Sequence, residues 1–567
     1  MAKTHNKTHN KTRNKTRKTK SHKRSADRTK AHTSITARVG KTRPVARASR
    51  LSAEDKLAEL KRRLLEISDL SAASSVLSWD QATYMPKEGA AARGRQGATL
   101  QRLAHEKFVD PALGRLIDAL ASKASSLSED DAALFRAVQR NFEKAIKVPA
   151  EYVVRATVLG AASYDAWTRA RPANDFAAMV PFLEQILDIS REYAEFFAPY
   201  EHIADPFIDD AEEGMTTASV QKLFKALRRE LVPLVRAISE QAPADDRCLR
   251  QTFGEPAQLA FGLQVAQRMG YDLDRGRLDK THHPFCTRFS AGDIRITTRV
   301  REDDLGDALF STLHEAGHGM YEQGVSVAFD GTPLGHGVSA GVHESQSRLW
   351  ENLVGRSRGF WEHYFPQLQQ SFPDQFAGVA LDTFYRAINK VERSLIRTDA
   401  DEVTYNLHIM LRFGLELDML EGRLRIKDLP EAWRAAMKSD LGVTPPDDRD
   451  GCLQDVHWYG GGVGGAFQSY TIGNILAAQF YDAAVQAHPD IPREIASGTF
   501  AALHGWLADN IYRHGCKYRP DELVQRATGS PMRMEPYVAY LRGKYGGLYR
   551  LPARPIEGPA EAPDAHP

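Results

Sequence analysis

From Ser52 onward, apolar residues recur at three- and four-residue spacing through most of the chain. Leu57, Leu60, Leu64 and Leu65 form the first such stripe, opened by Ser52-x-x-Asp55 as a cap. Alanine- and leucine-rich stretches of mixed charge return around 97–121, 128–146, 150–170, 176–197 and 218–240, and each predicts a helix. Period-two alternation is scarce. It predicts one strand over 293–300 (DIRITTRV) and a second, short one near 325–329. Neither a repeat nor a long Pro/Gly linker interrupts residues 51–551, so they read as one large, mainly α-helical domain.

The two ends have a different texture. Residues 1–50 repeat Lys-Thr-His-Asn, contain no Leu, Ile or Phe before Ile35, and cannot bury a face, which predicts disorder. They carry 17 of the 75 Lys and Arg but one of the 73 acids, Asp27, so the net charge of +2 hides an acidic body. A solvated tail is the plainer reading; loose, salt-dependent contact with nucleic acid is the alternative. The tail lacks the apolar centre of a secretory signal. Residues 552–567 are Pro-rich and predicted disordered.

Composition narrows the class. The chain is 42% hydrophobic and 26% charged, as in a soluble globular protein, and no run of 18 apolar residues predicts a membrane span. Cys248, Cys286, Cys452 and Cys516 are scattered without a C-x-x-C pair, which fits a reducing cytoplasm better than a disulfide scaffold.

The chemistry centres on Leu313-His314-Glu315-Ala316-Gly317-His318-Gly319. Acids at 302–304 and apolar residues at 305, 309, 313 and 316 predict a helix through this segment. Four apart on a helix, His314 and His318 share a face about 5–6 Å apart at Cβ, where two neutral imidazoles can hold one zinc ion. Glu315 then sits where it can take a proton from an attacking water. The bland alternative is a surface helix, yet Gly317 and Gly319 would each cost such a helix about 1 kcal/mol relative to Ala. They predict a close approach to its backbone.

Catalytic zinc normally takes three protein ligands. Tyr321 occupies the position where an extended His-x-x-Gly-x-x-His motif needs glycine, so the third must come from elsewhere. A glycine-rich loop leads to a second helical segment over 342–352; Glu344 is the leading candidate there, with His343, His336 and Glu351 as competitors. Farther on, Thr398-x-x-Asp401 predicts a capping box for a helix running to Gly422. Arg397, just before it, is either an ordinary ion pair or a fork for a substrate carboxylate. Gln454, Asp455, His457 and Trp458 make a polar cluster, followed by a glycine run at 460–465 that must be loop.

Together these segments resemble the carboxypeptidase Taq family of zinc carboxypeptidases. The resemblance rests on His283-Pro284-Phe285, Asp293-x-Arg295-x-Thr297, His314-Glu315-x-x-His318, His343-Glu344-Ser345-Gln346, Ile396-Arg397-x-x-Ala400-Asp401 and Gly451-x-x-Gln454-Asp455-x-His457-Trp458, in that order, and spans roughly 53–550. It implies a helical fold with a deep groove, a small β-sheet near the active site and a homodimer. It also implies one zinc ion (cobalt can substitute) on His314, His318 and Glu344, with Glu315 as base. Arg397 would hold the free C-terminal carboxylate of a peptide, with Arg295, His283 and His457 near the closed end. One departure stands out. The family's aromatic phrase after His-Trp is replaced here by Gly464-Gly465-Ala466-Phe467-Gln468-Ser469-Tyr470, without its first tyrosine. Losing an oxyanion donor costs on the order of 10²–10³ in turnover; Tyr470 and Tyr405 are the candidates to replace it.

Overall fold

Ser52 performs the capping its sequence predicts. In the computed structural model, which describes residues 52–465 and 467–552, its hydroxyl accepts from the Asp55 N–H and the Asp55 carboxylate reaches back to Ser52. The predictions for 1–50 and for 553–567 lie outside the described residues.

The helix that Ser52 opens, Ala53–Thr83, packs with Ala90–Phe108, Pro111–Ala121 and Glu129–Ala145. Leu60, Leu64, Leu113, Ile117, Leu134 and Val138 form the apolar cluster of this layer. The single helix predicted over 97–121 is two. Pro111 cannot continue a preceding helix but suits a first turn, and the Asp110 carboxylate caps that turn through the Ala112 N–H. The remaining helices surround a larger core containing Trp350, Trp361 and Trp433, all fully buried. Among the described residues, no helix is long and apolar enough to cross a membrane.

One small sheet interrupts the helices. It comprises β1 (Leu278–Lys280), β2 (Cys286–Ser290) and β3 (Asp293–Thr298), in the order β1-β3-β2. β3 is the predicted alternating strand, with Ile294 and Ile296 buried; it runs parallel to β1 and antiparallel to β2. The strand expected near 325–329 is instead a short 3-10 turn, Val327–Phe329, because the Ser326 hydroxyl accepts from the Ala328 N–H and bends the chain.

The motif helix, Leu305–Gly324, starts where the acids predict, with Asp304 accepting from the Gly306 N–H. Both of its motif glycines meet a neighbour. A Cβ on Gly317 would lie 2.6 Å from the Gln346 carbonyl oxygen and 2.7 Å from the Ser347 Cα, and one on Gly319 2.8 Å from the Tyr271 ring. Those contacts seat the motif helix against the sheet and against a second helix, Ala340–Arg348. That second helix lies in turn on Gln468–Ala487, where a Cβ on Gly473 would be 2.5 Å from the Glu344 Cγ. Two glycines on two helices thus fix how deeply Glu344 sits.

Candidate active site

Side chains of His314, His318 and Glu344 each offer a donor atom within 4.8 Å of the others. Both imidazoles turn Nε2 toward one Glu344 oxygen, Oε2, at 3.6 and 3.4 Å. Their outer nitrogens are engaged: Nδ1 of His314 lies 2.9 Å from Glu351, and Nδ1 of His318 lies 2.6 Å from Nδ1 of His343. His343 is backed by Glu322 at 2.8 Å, and the other Glu344 oxygen is held by Arg348 at 2.6 Å. Outer partners of this kind fix the ring orientation of metal-binding histidines. Two of the competitors for the third position, His343 and Glu351, therefore contact the trio from outside it. His336 points elsewhere, to the Gly337 carbonyl and the Cys516 thiol.

The donor set fits a divalent cation electrostatically as well. Burial pushes the His318 imidazole down to about 4, so it is neutral with a lone pair to give. Burial also opposes protonation of His314, yet Glu344 and Glu351 outweigh it and raise its pKa. Burial would likewise raise Glu344, but Arg348 and the two histidines hold it ionised. Glu315 is 5% exposed, and burial with the nearby Glu344 and Glu351 charges raises it to about 7. A neighbouring divalent charge returns such a carboxyl toward its ionised form. Two carboxylates, Glu344 and Glu351, pair with two guanidiniums, Arg348 and Arg356, and Glu351 itself sits on a π-helical turn, Leu349–Val354.

A cavity of about 700 Å³ runs from this cluster to Arg397, with His283, Tyr405 and Tyr470 also in its lining. Arg397 is 6% exposed and precedes the helix Tyr405–Leu420. The capping box predicted for that helix is not formed. Asp401 instead caps a tight turn through the Val403 and Thr404 N–H groups, and Thr398 bonds only Asp399. Asp455 accepts from Arg397 Nε at 2.6 Å, from Arg412 Nε at 3.0 Å and from His457. Burial alone would raise the Asp455 carboxyl; the His457 hydrogen bond and the two guanidiniums hold it well below the usual carboxylate range. Arg397 Nη1 also donates to Tyr405 at 3.1 Å, and Nη2 to Asp455 at 3.4 Å. With five donor hydrogens on a guanidinium, one N–H on each terminal nitrogen of Arg397 is left for a ligand.

The remaining predicted residues divide. His283 lines the cavity, and burial and the Arg397 and His457 charges lower its pKa. His457 stands one contact behind, with Nε2 3.3 Å from the Tyr470 hydroxyl. Arg295 does not join them. It is paired with Asp293 at 2.7 Å and stacked on Trp79 at 4.3 Å, tying the sheet to the first helix. The glycine run is packed against its neighbours: Val463 N–H donates to Ser190, and Gly464 and Gly465 lie against Phe207.

Sequence reasoning missed Arg348, Glu322 and Arg412. Arg348 stands four residues after Glu344, and Glu322 four after His318, spacings that place them on the same faces. Arg412 is fully buried on the helix Tyr405–Leu420, directly after the apolar run Ile409-Met410-Leu411, a mismatch visible in the sequence.

Known proteins resemble this chain over most of its length. The model of the carboxypeptidase Taq (M32) metallopeptidase family matches residues 59–545. Thermostable carboxypeptidase 1 of Thermus thermophilus is 41% identical over 498 residues, covering 85% of this chain and 97% of that protein. Carboxypeptidase 1 of Bacillus subtilis is 35% identical over 86% of this chain and 97% of its own. The crystal structure of an M32 carboxypeptidase from Deinococcus radiodurans R1 superposes with a TM-score of 0.86 at 51% identity, over 87% of this chain and 99% of that one. The chain belongs to the carboxypeptidase Taq (M32) metallopeptidase family.

Proposed function

We propose that this metallocarboxypeptidase releases single residues from the free C-terminus of peptides, with His314, His318 and Glu344 holding a zinc ion. Such an ion supplies a Lewis acid for the scissile carbonyl and acidifies a water; cobalt suits the same donors. Arg397 receives the terminal carboxylate through its two spare N–H groups, a bidentate pairing that orients the last peptide bond. His283 closes the cavity beside it. Asp455 and Tyr405 hold the guanidinium so that little is left to order when substrate arrives.

Glu315 carries the proton. Its carboxylate takes one from the attacking water and then gives it to the leaving amine nitrogen as the C–N bond breaks, yielding a shortened peptide and a free amino acid. Tyr470, which lines the same cavity with its hydroxyl 3.3 Å from His457 Nε2, would donate to the developing oxyanion. The carrying observation is that the three donors, Glu315 and the free side of Arg397 line one cavity.

The test is digestion of one peptide and its C-terminally amidated twin, followed by mass spectrometry, with chelated enzyme and Glu315→Gln in parallel. Stepwise single-residue loss from the unblocked peptide alone, dependent on metal and on Glu315, is the expected result. Internal cleavage, or equal cutting of the twin, would overturn the assignment.

A further inference from the structure

Glu212 is 2% exposed and lies outside the lining of the large cavity, yet it touches both helices that carry the proposed chemistry. It follows directly on the short helix Asp205–Ala211, and its N–H donates to the Ile208 carbonyl at 2.8 Å. Its Oε1 accepts from the Gly341 N–H, in the first turn of the Glu344 helix. Ser339, the N-cap of that helix, lies against the same carboxyl. Ser469 does so too; it is buried, has no other hydrogen-bond partner among the described residues and directly precedes Tyr470. A Cβ on Gly341 would lie 2.7 Å from Glu212 Oε1 and 2.6 Å from Ile472 Cγ2, so this junction closes only around a glycine.

The same short helix supports the loop before Tyr470 and is itself anchored from outside. A Cβ on Gly465 would be 2.5 Å from the Phe207 Cβ, so the glycine run rests on this helix. Asp209 accepts from Arg140 at 2.9 Å and from Lys144 at 2.6 Å, which ties the helix to Glu129–Ala145. Burial pushes the Glu212 carboxyl up to about 7, and Ser339, Ser469 and the Gly341 N–H only partly offset it. Burying such a group is costly, and packing alone would be served better by an apolar side chain. What the carboxyl adds is a set of hydrogen bonds that spans two helices.

We propose that Glu212 is a positioning residue for the hydrolysis: by joining the starts of the Glu344 and Tyr470 helices, it sets the Tyr470 hydroxyl against the scissile carbonyl. This rests on the role given to Tyr470 in the carboxypeptidase reading. Glu344 has anchors of its own, because Arg348 holds its carboxylate at 2.6 Å and Gly473 meets its Cγ closely. The Tyr470 hydroxyl meets His457 at a long 3.3 Å, so its place is set chiefly by where its helix begins. A displacement of about 1 Å in a group that acts in the transition state can cost on the order of 10²-fold in rate.

The test measures kcat and KM of the full-length, metal-loaded enzyme on one unblocked peptide, with metal content per chain on the same samples. Glu212→Asp, a methylene too short to reach Gly341, should lower kcat about tenfold or more with little change in KM or metal content. Glu212→Gln keeps an acceptor for Gly341 and a donor for Ser469, and should recover most of that loss. Gly341→Ala, which wedges the junction from the other side, should lose kcat as Glu212→Asp does. The decisive comparison repeats each variant in a Tyr470→Phe background, where no hydroxyl is left to place and Glu212→Asp should cost little more. An equal loss with and without the Tyr470 hydroxyl would mean general packing and overturn the inference, as would an unchanged kcat in Glu212→Asp. If Tyr470→Phe alone leaves kcat unchanged, the Tyr470 role and this inference fail together, while single-residue release still supports the carboxypeptidase reading. Failure to release a C-terminal residue from any peptide overturns that reading, and this inference with it.

Discussion

At one end of the large cavity, the three candidate metal donors come from two helices pressed together at Gly317, all between His314 and Glu344. At the other end, Arg397, Arg412, Asp455 and Tyr470 come from separate segments joined by tertiary contacts. Their charge balances differ. Around the donors Glu344 and Glu351 meet Arg348 and Arg356, with Glu315 buried beside them and shifted toward its protonated form, whereas one carboxylate, Asp455, faces two guanidiniums at the Arg397 end. Unpaired buried charge is costly; under the proposed function a peptide carboxylate would complete the Arg397 end, and a cation on the three donors would return Glu315 toward its ionised form.

Changing the donor end without altering its shape should give the largest effect. Glu315→Gln should lower kcat by about 10²–10⁴-fold, the range for a positioned acid–base group, with little change in KM. Its melting temperature should not fall, because the substitution removes an acid that burial already disfavours. Steady-state kinetics and thermal unfolding on the same preparation check both halves.

Asp455→Asn breaks the other end. It leaves Arg397 and Arg412 buried without their counter-charge, and breaking such a cluster costs about 3–5 kcal/mol. Denaturant unfolding should show that loss, while metal content stays at the wild-type ratio. A parallel loss of metal would mean the two ends are not separable.

Glu416 tests why the clamp end keeps its positive excess. It lies one turn beyond Arg412 on the same helix and accepts from the Trp458 indole at 2.9 Å, and burial raises its carboxyl to about 7. The folded protein therefore holds this proton at pH values where the unfolded chain has lost it. Its contribution to stability is complete below about pH 4, declines by at most about 1.4 kcal/mol for each pH unit above that, and is fully lost above about 7. Wild type should lose more unfolding free energy between pH 5 and 8 than Glu416→Gln does; equal slopes would contradict the assignment.

Tyr405→Phe is the mildest intervention. It removes the 3.1 Å hydrogen bond to Arg397 and nothing from the donors. A hydrogen bond to a charged group is worth about 1.5–3 kcal/mol, so kcat/KM on free-carboxylate peptides should fall about tenfold or more, with metal affinity unchanged.

Much of the donor end was legible in the sequence, since helical periodicity puts His314 and His318 on one face and the two glycines announced the close approach that Gln346 and Tyr271 make. Local signals also found β3 and the Ser52 cap. They failed where long-range contact decides. β2 has five half-buried residues and no clean alternation, and β1 has only three residues. Arg295 carries a family motif yet is spent on Asp293 and Trp79, because β3 turns it to the face opposite its buried isoleucines. The Arg397–Asp455–Arg412 cluster joins positions 43 and 58 residues apart, beyond any local pattern.

The division of labour between the two ends is tested most directly by kcat/KM for one peptide and its C-terminal amide on wild type and on Arg397→Gln. Wild type should prefer the free carboxylate by more than about 10²-fold, and the variant should lose that preference chiefly by slowing on the free peptide while its metal content is unchanged. A wild-type enzyme that cuts both equally, or a variant that keeps the full preference, would contradict it.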